Sequence, residues 1–112
     1  RDHGFMVTPS LIAEGVTAIF AHNDLIAIGV TDYCNQNGIE IGKDLALVGF
    51  DDREVASVCR PKLTTVSLPL FDIGRIAADV IFNMIETGSM PEMQKILLSC
   101  NLVERESTGE KR

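Results

Sequence analysis

Apolar positions along the chain fall into two patterns, short unbroken runs and longer stretches with helical spacing. The run "VTAIFA" (16–21) is rich in β-branched and apolar residues, which reads as a short buried strand. After His22 and Asn23, Asp24 is placed to cap a helix over 25–37, which Gly38 ends. "IGKD" is a turn, and "LALVGF" (45–50) is a second buried strand. Strand, helix and strand in that order form a βαβ unit, so the two strands run parallel. Upstream, "GFMVTPSLIAEG" predicts a helix ending at Gly15, with Pro9 disturbing its start. Downstream, "REVASVCRPKLTTV" reads as an irregular connection through Pro61 that becomes extended over 63–66. Then Pro69 suits the first turn of a further helix. Its Ile73, Ile76, Ala77, Val80, Ile81, Met84 and Ile85 lie on one face, Gly88 ends it, and Pro91 prevents resumption. "KILLSCNLV" (95–103) predicts a last extended segment, and "ERESTGEKR" a solvated tail. No internal repeat or low-complexity tract interrupts this α/β order.

Parallel strands bring their carboxyl ends to one edge of a sheet, and ligands of such sheets bind in the crevice there. Asn23 leaves the first strand and Asp51 the second, so both are expected at one edge. This gives meaning to "ALVGFDDR" (46–53), an apolar strand that runs into two adjacent carboxylates. Such a pair serves as a metal site, a phosphoacceptor, a ligand clamp, or merely a turn with a helix cap.

Charge and cysteine content narrow the classes. The net charge is −6, from 16 acidic and 10 basic residues, without a basic cluster before the final two. That balance excludes unaided nucleic-acid binding. At 112 residues and 46% hydrophobic content, the chain suffices for one folded core. No apolar run reaches the roughly 18–20 residues of a membrane span, and no secretory leader is visible. A first residue of Arg1 rather than Met reads as a piece of a longer protein. Cys34, Cys59 and Cys100 are odd in number and widely spaced, which suggests small buried hydrophobes in a reducing cytoplasm rather than zinc ligands or disulfides.

Phosphoryl transfer at Asp51 or Asp52, as in a receiver-like signalling domain, needs a third acid and a strand-ending lysine. Asp24 supplies the acid only by abandoning its cap, and no strand ends in Lys. A hydrolase needs a nucleophile beside a base, yet the histidines are His3 and His22 and no G-x-S-x-G occurs. No catalytic residue, metal or cofactor is expected. His22 at the binding edge is either a ligand contact or a half-exposed loop residue. A clamp suits the remaining pair: a carboxamide donates and accepts, while a carboxylate accepts from two hydroxyls. Asn23 with Asp51 therefore points to a polyhydroxylated or amine-bearing small molecule, unless both are plain strand-end turn residues.

Four segments in register, "TAIFAHNDLIAIG", "GIEIGKDLALVGFDD", "RPKLTTVSLPLFDIGRIAADVIFNMIETG" and "LVERESTGEKR", resemble the lactose/galactose repressor (LacI/GalR) family of bacterial transcription regulators. The resemblance covers about Val16 to Thr108. It implies a partial periplasmic-binding-protein-like type I fold, with a Rossmann-like parallel sheet in each of two lobes and a small effector between them. Residues 1–66 and 99–112 would then belong mainly to the C-terminal lobe, and 67–98 to the N-terminal lobe. By position it implies effector contacts from Asn23 and Asp51, and a third at Leu70. That site is often aromatic in the family, and here the aromatic residue is one place later, at Phe71. Asp52 reads as structural, capping the following turn. The implied protein is a cytoplasmic regulator, not an enzyme, that binds a sugar or related metabolite. It would meet operator DNA only through a headpiece absent from this chain. The alternative is a periplasmic sugar-binding protein of an uptake system.

Association follows from a surplus of apolar surface. Helix 25–37 carries Ile26 and Val30 in one row and Leu25, Ile28 and Gly29 in another, whereas covering a sheet needs one stripe. The connection 55–59 adds Val55, Ala56, Val58 and Cys59. Cover from other segments of the same protein would account for both. The resemblance instead implies a homodimer in which Leu25, Ile28, Asp32, Val55, Val58 and Cys59 meet their copies.

Overall fold

The computed structural model describes residues 1–90 and 95–109. The chain divides into two compact units, Arg1–Ser67 with Asn101–Arg112, and Leu68–Cys100.

In the first unit, α1 (Asp2–Ala13) leads to β1 (Ala18–Phe20), α2 (Asp24–Gln36) and β2 (Ala46–Val48). The short helix α3 (Glu54–Val58), β3 (Thr65–Ser67), β4 (Asn101–Val103) and a 3-10 turn (Glu106–Thr108) complete it. β1 and β2 pair in parallel with Ile19 opposite Leu47, as the βαβ pattern requires. Parallel bridges Val48–Thr64 and Asp51–Ser67 place β3 on the other side of β2. β4 then pairs antiparallel with β3, Val66 opposite Leu102. The core lies under α2, where Ala27, Val30 and Cys34 meet Ile41, Leu45, Leu47, Ala56 and Leu63. Each fully buried Leu contributes roughly 1.5–3 kcal/mol of transfer free energy.

α1 crosses α2 at van der Waals distance because both helices offer glycine. A Cβ on Gly4 would run into the Ile26 carbonyl, and one on Gly29 into the Arg1 carbonyl. Beside the crossing, Phe5 and Tyr33 meet edge-to-face at 5.5 Å. Arg1 forks onto Asp32 at 2.6 and 3.0 Å. Pro9 stands inside α1 rather than at its start. The helix persists through it, so packing on α2 outweighs the roughly 3 kcal/mol a mid-helix proline costs.

Three further expectations need correction. The connection 53–66 is not wholly irregular, since α3 forms where Ala56 is fully buried. One turn of helix anchored by one alanine leaves no periodic signal. Residues 95–100 form no strand, and pairing begins only at Asn101. Nor is the tail solvated through 104–109. Ser107, 1% exposed, donates to the Leu47 carbonyl at 2.5 Å and accepts from the Thr64 N–H at 2.8 Å. Thr64 and Thr108 hydroxyls meet at 2.8 Å. These polar side chains fill the hydrogen bonds that β2 and β3 leave open at one edge, so hydrophilic composition here signals docking. Residues 110–112 of the tail, and Pro91, lie outside the described residues.

The second unit centres on α4 (Leu70–Thr87), with Pro69 just ahead of it. Asp72, Arg75 and Asp79 pair along its polar face at 4.0 and 3.6 Å. Gly88 ends it at φ 67°, its N–H on the Met84 carbonyl at 2.9 Å. Ile73, Ile76, Ala77, Val80, Ile81 and Met84 line a groove of about 650 Å³ together with Ile96 and Leu98. Ile85, counted on that face, is 72% exposed, and no residue of α4 is buried. Among the described residues no helix is long and apolar enough to cross a membrane.

Candidate functional site

The carboxyl ends of β1, β2 and β3 share one edge. The ladder continues past β1, with Ala21 N–H on the Val48 carbonyl at 2.8 Å and Asp24 N–H on the Phe50 carbonyl at 3.0 Å. These bonds bring His22 and Asn23 alongside Phe50 and Asp51.

The first correction concerns which residue caps α2. Asn23, extended at φ −153°, is the cap, its Oδ1 accepting from the Ile26 N–H at 2.9 Å. Its carboxamide nitrogen makes no hydrogen bond among the described residues and remains a donor at the edge. Asp24 instead turns inward and is fully buried. One carboxylate oxygen accepts from the Thr65 hydroxyl and the other from the Arg53 N–H, both at 2.6 Å. Gly49 leaves the room for it, since a Cβ there would overlap Asp24 Oδ1. With both oxygens engaged, Asp24 cannot serve as the third acid of a phosphoacceptor site. Among the described residues no three His, Cys, Asp or Glu side chains gather as a metal ligand set would.

Asp51 and Asp52 follow β2 with φ of 108° and 54°. Two successive non-glycine residues in this region cost about 1–3 kcal/mol each and persist only where their surroundings hold them. Those surroundings are specific. Asp51 N–H donates to the Val66 carbonyl at 3.0 Å, and Asp52 N–H to the Thr65 hydroxyl at 3.3 Å. Asp52 Oδ1 accepts from Arg105 Nη2 at 2.9 Å, so Asp52 ties down the tail and does not cap α3. The half-buried Asp51 carboxylate takes no hydrogen bond among the described residues.

His22 is exposed at the same edge and lines a hollow of about 280 Å³ with Phe20, Ala21 and Phe50. A larger open groove of about 1160 Å³ runs along Ile39, Lys43 and Glu106, but neither Asn23 nor Asp51 lines it. Leu70 and Phe71 belong to the second unit, 65% and 81% exposed at the start of α4.

The surface expected for a dimer is only partly open. Ile28 is 5% exposed, Asp32 is held by Arg1, and Gly29 lies against α1. The second stripe of α2 is thus largely covered by the chain itself, which removes the surplus inferred from its pattern. Leu25 and Val58 remain at 41% and 62% exposure, with Val55 and Cys59 half-buried. Burial pushes the Cys34 and Cys59 thiols above their ordinary range, which keeps them neutral hydrophobes at neutral pH. Cys100 is exposed, contrary to the expectation of three buried thiols.

Sequence reasoning missed Asp24 as an internal anchor, together with Thr65, Arg105 and Ser107. Only the Thr64-Thr65 pair within an apolar strand offered a signal, because buried hydroxyls need partners.

Residues 4–108 match the family described as a periplasmic binding protein-like domain. Over 128 aligned residues the chain is 30% identical to the HTH-type transcriptional repressor CytR of Escherichia coli (strain K12), covering 96% of this chain and 37% of CytR. Among solved structures, a LacI family transcriptional regulator from Enterococcus faecalis V583 with bound ribose aligns at a TM-score of 0.89 and 28% identity. That alignment covers 99% of this chain and 41% of the regulator. The lac repressor dimer bound to operator and the anti-inducer ONPF aligns at a TM-score of 0.83 and 30% identity, covering 97% of this chain and 33% of that one. The chain thus spans well under half of each relative, and these relatives are transcription regulators rather than enzymes. The chain belongs to the periplasmic binding protein-like domain family, in the form carried by LacI-family transcription regulators.

Proposed function

We propose that the edge built by Asn23 and Asp51 binds a small polyhydroxylated effector, a sugar or close relative, for a dimeric cytoplasmic regulator. In this reading the regulator meets operator DNA through a segment outside this chain. One observation carries the proposal: adjacent strand ends present an amide donor and a carboxylate that are both free among the described residues. Capping occupies Asn23 Oδ1 and leaves its nitrogen to donate, while the Asp51 carboxylate can only accept. Neighbouring ring hydroxyls match that pair, the first accepting from Asn23 and both donating to Asp51. His22 supplies a polar flank and the Phe20 and Phe50 rings an apolar one. Support comes from the Enterococcus faecalis relative, which was solved with ribose.

In the same reading the segment 67–98 belongs to the N-terminal lobe. Leu25 and Val58, with Val55 and Cys59, form the dimer contact, and the lac repressor relative is a dimer. Ile28 supports that surface from within, and Asp32 lies half-exposed on the same helix, paired with Arg1.

Calorimetric titration of ribose into the full-length protein, with and without Asp51→Asn, tests the site. Loss of charged hydrogen bonds should weaken binding by about ten- to a hundredfold. Equal affinity in the two proteins would place the effector elsewhere.

A further inference from the structure

We propose that Arg105, far from the strand edge in sequence, is a positioning residue for the effector site and acts through Asp52 on Asp51. The inference rests on the sugar-site reading above, but its geometric part is independent of any ligand. The Arg105 side chain ties Asp52, inside the strained turn, to the Leu63 carbonyl ahead of β3. Nη2 donates to Asp52 Oδ1 and Nη1 to the Leu63 carbonyl, each at 2.9 Å. Its own N–H donates to the Thr64 hydroxyl at 2.8 Å, fixing the base of the side chain as well as its head. Arg105 and Asp52 side chains are 19% and 24% exposed, so solvent screens the pair little.

These bonds complete a closed circuit. Arg105 links Asp52 to Leu63, the chain runs from Leu63 to Thr65, and the Thr65 hydroxyl receives the Asp52 N–H. Thr65 also reaches Asp24, which holds the Arg53 N–H on the far side of the turn. Asp51 stands at the head of this circuit, with its backbone fixed to Val66 and its carboxylate outside it. Two successive left-handed residues do not hold themselves, so the direction in which Asp51 presents its carboxylate depends on what grips Asp52. The planar guanidinium reaches two acceptors at once, and an ammonium at one point does not.

The test uses Arg105→Gln, Arg105→Lys and Ser107→Ala in the full-length protein. Ser107→Ala loosens the same tail through Leu47 and Thr64 without touching Asp52. Hydrogen exchange is followed by mass spectrometry on a peptide covering 50–54. Arg105→Gln should speed exchange there by about tenfold while peptides of α2 stay unchanged. Arg105→Lys, which keeps the charge, should show a smaller rise, and Ser107→Ala none. In ribose titrations Arg105→Gln should weaken binding by roughly tenfold, and adding Asp52→Asn should weaken it no further. Equal acceleration in Ser107→Ala would make Arg105 a structural tail residue and overturn the proposal. Accelerated exchange with unchanged ribose affinity would overturn it as well. If the unmodified protein gave no heat with ribose, the sugar reading would fail, and the exchange comparison would still decide whether Arg105 positions the turn.

Discussion

Asp24 shows how much a single side chain decides. The sequence pattern reads it as the cap of α2, yet Asn23 takes that place and Asp24 is buried with both oxygens bonded. A carboxylate is stable inside only when its lone pairs are filled, and here a strand hydroxyl and a turn N–H fill them. Removing it leaves the buried Thr65 hydroxyl and the Arg53 N–H without an acceptor, at about 1–3 kcal/mol each. Asp24→Ala should therefore destabilise the protein by roughly 2–6 kcal/mol in urea unfolding, which follows from the same two lost bonds. A change below half a kilocalorie would show that the two donors find other partners. Asp51 is the converse case, because its carboxylate takes no hydrogen bond among the described residues and its substitution should alter binding far more than stability.

Among the elements, the α1–α2 crossing and α4 give opposite expectations for one substitution. Alanine in place of glycine in a helix gains about 0.8–1 kcal/mol when nothing stands in the way. Gly74 in α4 has nothing within reach of a Cβ, so Gly74→Ala should raise the melting temperature. At Gly4 the new methyl meets the Ile26 carbonyl, a backbone atom in the first turn of α2 that cannot step aside. Overpacking of that kind costs about 1–3 kcal/mol and outweighs the propensity gain. Gly4→Ala should therefore lower the melting temperature by circular dichroism. A rise in the Gly4→Ala variant as well would mean that α1 and α2 can separate at no cost.

Assembly belongs to the scale of the whole molecule. With Ile28 buried, Ile28→Glu would damage the fold and say nothing about association. Val58 is exposed at the end of α3, and an ionised side chain there leaves this unit intact. In a symmetric contact each substitution appears twice, so Val58→Glu places two carboxylates against apolar neighbours. Sedimentation of the full-length protein should shift from dimer to monomer. A dimer of unchanged strength would move the interface away from α3.

The βαβ order, the parallel pairing of β1 with β2 and the meeting of Asn23 with Asp51 at one edge were all legible in the chain itself. They follow from local hydrophobic period and from the rule that parallel strands end on one side, which needs no knowledge of distant contacts. The apolar face of α4 was legible for the same reason, apart from Ile85 at its margin. Tertiary structure alone decided which of Asn23 and Asp24 caps α2, since both side chains suit a helix start and only the buried Thr65 hydroxyl selects between them. It also decided that the polar tail docks. Ser107 and Arg105 are hydrophilic by composition, and they dock because the Leu47 and Leu63 carbonyls lie within reach of their donors. The second stripe of α2 called for a cover, but pattern reports that a face is apolar and not what covers it, and α1 covers much of it across two glycines that carry no hydrophobic signal. Periodicity records the energetics of neighbours in sequence, whereas hydrogen-bond partners forty or more residues apart, such as Asp24 with Thr65 and Leu47 with Ser107, exist only once the chain has folded.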